Sequence, residues 1–164
     1  MQKPIIAIDG YSSTGKSSIS KAIAEKLGFI HIDTGALYRG VTYFALENFS
    51  DKNKELNLDL LFENLDKIKL EFRNENGKLV LYSNNHNIDS EIRDTIVSEH
   101  VSIIAKQKQV RDFLLDMQKS FGKNGGIIMD GRDIATVVFP NADFKIFLTA
   151  SKEERAKRRF LELT

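Results

Sequence analysis

The sequence predicts an α/β domain built on a doubly wound parallel sheet with a small antiparallel insertion. Three observations carry this. Short apolar runs alternate with stretches whose apolar residues recur at helical spacing, the pattern of strand–helix–strand units. A glycine-rich segment joins the first run directly to the first helical stretch. Between residues 51 and 92 the period changes to alternation around an Asn-Gly pair, the mark of a hairpin. The core is therefore expected over 1–50 and 93–164, with 51–92 as the insertion.

Taken in order, Pro4-Ile5-Ile6-Ala7-Ile8-Asp9 suits a short buried strand. From Lys16, the residues Ile19, Ala22, Ile23 and Leu27 share a helical face, and Gly28 stands where a C-cap falls. Phe29-Ile30-His31-Ile32-Asp33 reads as a second buried strand, followed from Thr34 by a helix to about Phe49 with Leu37, Val41, Phe44 and Ala45 on one face. A short helix is expected around Leu58 to Leu65, then a hairpin of Ile68–Phe72 and Leu79–Tyr82 turning through Asn74-Glu75-Asn76-Gly77. A long helical pattern runs from about Val97 to Phe121 and stops at Gly122, Gly125 and Gly126. Ile127–Asp130 supplies a third short buried strand and Phe144–Leu148 a fourth. Ser151 with Glu154 forms a capping-box start for a last helix.

Composition excludes several classes. With 41% hydrophobic and 29% charged residues over 164, the chain is an ordinary globular protein of one domain. Lys and Arg total 24 against 23 Asp and Glu, so no global charge points to nucleic acid or a membrane surface. There is no cysteine, hence no disulfide and no thiolate metal site. No apolar run has the length of a membrane helix. A cytoplasmic monomer is the default expectation.

Gly10-Tyr11-Ser12-Ser13-Thr14-Gly15-Lys16-Ser17 matches G-x-x-x-x-G-K-[ST] at every fixed position, and Ser18 follows in the first helical turn. The glycines let backbone N–H groups turn inward on a nucleotide's phosphates, Lys16 reaches the β- and γ-phosphates, and the Ser17 hydroxyl helps hold Mg²⁺. The helix N-terminus beneath adds its dipole. A chance glycine-rich turn is the alternative. At the end of the second strand, Thr34, Tyr38 and Arg39 offer a hydroxyl, a ring and a guanidinium suited to a second phosphorylated ligand, although an Arg on a first helical turn is also a common surface residue. At the end of the third, Asp130 is placed to steady Mg²⁺, while Arg132 and Asp133 bring opposite charges to the same strand end, unless they form a plain surface turn. Arg155, Arg158 and Arg159 share a face of the last helix. They suit a lid that carries an arginine onto the transferring phosphates, or a solvated helix paired with Glu153, Glu154 and Glu162. His31, His86 and His100 lack metal-ligand spacing and are read as structural or surface residues.

Together with Glu91-Ile92-Arg93, the run Asp130-Gly131-Arg132-Asp133-Ile134-Ala135-Thr136-Val137-Val138-Phe139-Pro140 and the segment Lys145–Arg155, these motifs resemble bacterial cytidylate kinases over essentially the whole chain. The resemblance implies an ATP-dependent kinase of CMP or dCMP. Lys16, Asp130, Arg132, Arg155 and Arg159 would serve catalysis. Thr34, Arg39 and Arg132 would handle the acceptor's ribose and phosphate, and Ser102, Arg111 and Asp133 the cytosine. Ser102 and Arg111 are nine residues apart on the long helical pattern, so the helix must break if both touch one base, and Lys106-Gln107-Lys108 is the expected place. The family continues beyond Thr164 with more of the lid, an acceptor-binding segment, a fifth strand and a helix. The expectation for these 164 residues is retained ATP binding with severely reduced CMP turnover. Two alternatives stay open: a nucleotide-binding fragment without turnover, and another small-molecule kinase on the same core.

Overall fold

The computed structural model describes residues 2–164, apart from the side chain of Leu163. It divides into two compact units, Met1–Thr34 with Leu115–Thr164, and Gly35–Leu114.

The first unit is a four-stranded parallel sheet in the order β2-β6-β1-β7, formed by β1 (Ile5–Gly10), β2 (Ile30–Asp33), β6 (Ile127–Gly131) and β7 (Phe144–Leu148). Central β1 and β6 are buried because parallel strands lie under helices on their faces. Ile6, Ile8 and Ile128 pack with Ala24 of α1 (Lys16–Leu27), joined by Ile23, Phe29 and Leu148. α1 ends at Gly28 in a left-handed C-cap, as its position foretold. Ser151 caps α6 (Lys152–Leu163) by accepting from the Glu154 N–H. Asp9, at the end of β1, accepts from the N–H groups of Ile134 (2.8 Å) and Ala135 (2.9 Å), fixing a single π-helical turn, Ile134–Val138, that follows Arg132 and Asp133.

Two expectations are corrected here. The runs around Ile30 and Phe144, read as buried strands, are the two edges of the sheet. Ile30 is exposed, and so are Phe144, Ile146 and Phe147. A short apolar run looks the same whether it is flanked on one side or both. Sheet order is set by pairing between segments far apart in sequence.

The second unit holds all but the first residue of α2 (Thr34–Asn48), α3 (Leu58–Glu63), a three-stranded antiparallel sheet and the helices α4 (Thr95–Ala105) and α5 (Lys108–Phe121), the last crossing the unit boundary. α2 begins directly after β2. β3 (Leu70–Glu75) and β4 (Lys78–Ser83) form the expected hairpin. Asn76 and Gly77 both take positive φ, 53° and 84°, as a type I′ turn requires. A further strand, β5 (His86–Asn87), pairs with β4 and was too short to show in the pattern. The sheet meets α2 at Gly40, where an added Cβ would lie 3.0 Å from a Leu70 methyl. The helical stretch breaks at Lys106 and Gln107, inside the segment singled out above.

Candidate functional site

In the first unit the site is built on the loop between β1 and α1. At Gly10 a Cβ would stand 2.5 Å from the Leu148 carbonyl, so β7 can approach only a glycine. Gly15 caps α1 in the left-handed region, φ 89°. α1 has no side-chain cap and no acidic residue in its first turn, which leaves its free N–H groups and positive dipole end for an anion. Thr14 Oγ1 (2.9 Å) and Lys16 Nζ (2.7 Å) both donate to the Tyr11 carbonyl and brace the loop. Burial holds the Lys16 ammonium below its ordinary pKa, and Arg132 adds to this; Asp130, Asp33 and Asp9 oppose it. A cation under that strain is stabilised by an incoming polyanion.

Asp130, almost completely buried, is tied at three points. Oδ2 accepts from Ser17 Oγ at 2.7 Å, Oδ1 lies 3.1 Å from His31 Nε2, and the main-chain carbonyl accepts from Thr34 Oγ1 at 2.9 Å. The donors Ser17 and Asp130, hard oxygens side by side at the loop, suit a small divalent cation that keeps most of its water and phosphate ligands. Among the described residues no cluster of three or more His, Cys, Asp or Glu could hold a metal ion. Arg132 is exposed at the end of β6, and Asp133 is half-buried beside it.

α6 reaches the outer side of the loop. Arg155 Nε donates to the Ser12 carbonyl at 3.1 Å and its guanidinium lies 4.9 Å from the centre of the Tyr11 ring. Arg158 Nη1 is 3.5 Å from the Ser13 carbonyl, whereas Arg159 pairs with Glu162. Between α6 and the loop is a cavity of about 240 Å³ lined by Ser12, Ser13, Lys152, Arg155, Ala156 and Arg159. Of the phosphate-site residues expected from sequence, the loop Gly10–Ser17, Asp130 and Arg155 are thus together. Ser18 is exposed in the first turn of α1.

In the second unit, Arg39 Nη1 donates to Ser98 Oγ at 2.9 Å and lies 3.4 Å from the Ile92 carbonyl. Tyr38 is half-buried, and its carbonyl accepts from Thr42. Ser102 is exposed on α4 and Arg111 exposed in the first turn of α5, on separate helices as the break dictates.

Sequence reasoning read His31 as a structural or surface residue and gave no role to Asp9 or Ser98. Only Ser98 left a local signal, standing four residues before Ser102 on the same helical face.

A family profile described as cytidylate kinase matches residues 6–164. The chain belongs to the cytidylate kinase family. Cytidylate kinase of Flavobacterium psychrophilum is 50% identical over all of this chain and 74% of its own length. The Flavobacterium johnsoniae cytidylate kinase is 49% identical, over 99% of this chain and 72% of that protein, and that of Listeria innocua 46%, over 98% and 70%. The chain thus spans about three quarters of the length of such cytidylate kinases.

Proposed function

We propose that the chain transfers the γ-phosphoryl group of ATP to CMP or dCMP, giving ADP and CDP or dCDP. The observation that carries this is the Ser17–Asp130 pair at a complete phosphate loop, in a chain that belongs to the cytidylate kinase family. Phosphoryl transfer asks a protein mainly for alignment and charge neutralisation. The α1 N-terminus and loop amides hold the donor phosphates. Lys16, released from the Tyr11 carbonyl, spans β- and γ-oxygens, and Arg155 closes over the loop from α6. Ser17 and Asp130 would hold Mg²⁺, which when bound would offset the negative charge of the reacting phosphates. In the first unit, Thr34, Arg132 and Asp133 are read as acceptor residues. The Thr34 hydroxyl donates its hydrogen to the Asp130 carbonyl and keeps its lone pairs to accept from a ligand. In the second unit, Tyr38, Arg39, Ser102 and Arg111 are read as acceptor residues. The reaction would belong to pyrimidine nucleotide metabolism; the cysteine-free sequence fits a reducing, cytoplasmic compartment, the balanced charge gives no global attraction to nucleic acid or membrane, and a monomer is the default expectation.

The test is ADP formation with and without CMP or dCMP. ADP that appears only with the acceptor, in equal amount to CDP or dCDP, supports the proposal. ADP released without an acceptor, or ATP bound with no product, would replace it with a nucleotide-binding reading.

A further inference from the structure

We propose that His31 is a positioning residue for Asp130, and through it for the divalent cation that accompanies the nucleotide; this rests on the function proposed above. Each oxygen of the buried Asp130 carboxylate has its own partner, Ser17 on Oδ2 and His31 on Oδ1. A carboxylate only accepts, so His31 Nε2 carries the proton and donates. The two contacts reach Asp130 from different elements, α1 and β2. The terminal torsion of an aspartate is soft. With Ser17 alone, the carboxylate plane turns about that single bond; with His31 on the other oxygen, the plane is fixed.

His31 can perform this task because of its strand. β2 pairs with β6 in register, His31 beside Ile128 and Asp33 beside Asp130, so the ring spans from the sheet edge to the central strand. Its side chain is 19% exposed while that of Asp130 is 2% exposed, which places the ring between solvent and carboxylate. The imidazole is not itself assigned as a ligand, since its Nε2 is engaged and a hard cation prefers oxygen. Partners of this kind, which orient the groups holding a metal, typically change its affinity by ten- to a hundredfold when removed.

The test is calorimetric titration of ATP into the wild-type chain, His31→Leu and His31→Gln, each with and without Mg²⁺. Leucine fills the space without a donor; glutamine returns an N–H at similar reach. Leucine is expected to lower the Mg²⁺-dependent gain in ATP affinity by about tenfold and to leave Mg²⁺-free ATP affinity unchanged, with glutamine restoring most of the gain. Equal loss with and without Mg²⁺ would mean that His31 only supports the fold, and would overturn the proposal. So would an unchanged Mg²⁺ dependence, or glutamine no better than leucine. A wild-type chain that fails to bind ATP with Mg²⁺ would overturn the kinase reading together with this inference, a result distinct from wild-type binding that His31→Leu does not disturb. If His31→Leu shows no cooperative melting, His31→Ala takes its place in the same comparison.

Discussion

Lys16 is a charged group held half-buried, its ammonium donating to the Tyr11 carbonyl. Desolvation lowers its pKa, so the charged form is disfavoured in the fold relative to the unfolded chain. Lys16→Met is therefore expected to lose turnover by roughly a hundredfold or more, while the ligand-free protein becomes no less stable at neutral pH. The sign follows from proton linkage. Between the lowered folded pKa and the ordinary one, the unfolded chain binds more protons, so wild-type stability rises with pH through that window. The stability gap between mutant and wild type should narrow as pH climbs into it, as urea denaturation at neutral and alkaline pH will show. A gap that widens instead would contradict the burial argument. Ser98 gives a second test. Its hydroxyl accepts from Arg39, and removing it forfeits a hydrogen bond to a charged group, about 1.5 kcal/mol. Ser98→Ala is expected to raise the KM for CMP roughly tenfold and to leave that for ATP unchanged. Steady-state kinetics with each substrate varied in turn will measure it.

Among the elements, α1 carries a buried polar group without a partner. Ser20 is fully buried in it, and its Oγ is the only buried side-chain polar atom without a hydrogen-bond partner among the described residues. Ser20→Ala removes that orphan and improves helix propensity, so a gain of up to about 1 kcal/mol is expected in chemical denaturation, with ATP binding intact. The same scale shows what sequence could and could not reveal. α1 and its loop were legible because every determinant, from Gly10 to Gly28, is local. The hairpin was legible through Asn76-Gly77. The break at Lys106 and Gln107 had a weaker source: it followed from the roles that family resemblance implied for Ser102 and Arg111. The edge positions of β2 and β7 were not legible, because an apolar run does not say how many neighbours it will have. His31 was missed for a related reason. Its partner is 99 residues further along the chain, and no spacing rule reaches that far.

At the scale of the molecule, the first unit is discontinuous, with the whole second unit inserted between β2 and β6. β6 nevertheless takes the place between β1 and β2. Those two strands are early in the chain and never pair with each other; each waits for a strand made much later. The three ties on Asp130 reach back 113, 99 and 96 residues, so each closes a long loop before it contributes anything. Contacts of such high sequence separation form slowly. A fluorescent ATP analogue added during refolding with Mg²⁺ should therefore report binding only in the slowest phase, after helical signal has returned. Binding in the earliest phase would show that the loop alone suffices. In a growing polypeptide, the cation site proposed at Ser17 and Asp130 cannot form until the third strand of the sheet has left the ribosome, so a stalled or truncated chain ending before β6 is expected to carry the entire phosphate-loop motif and yet gain no ATP affinity from magnesium.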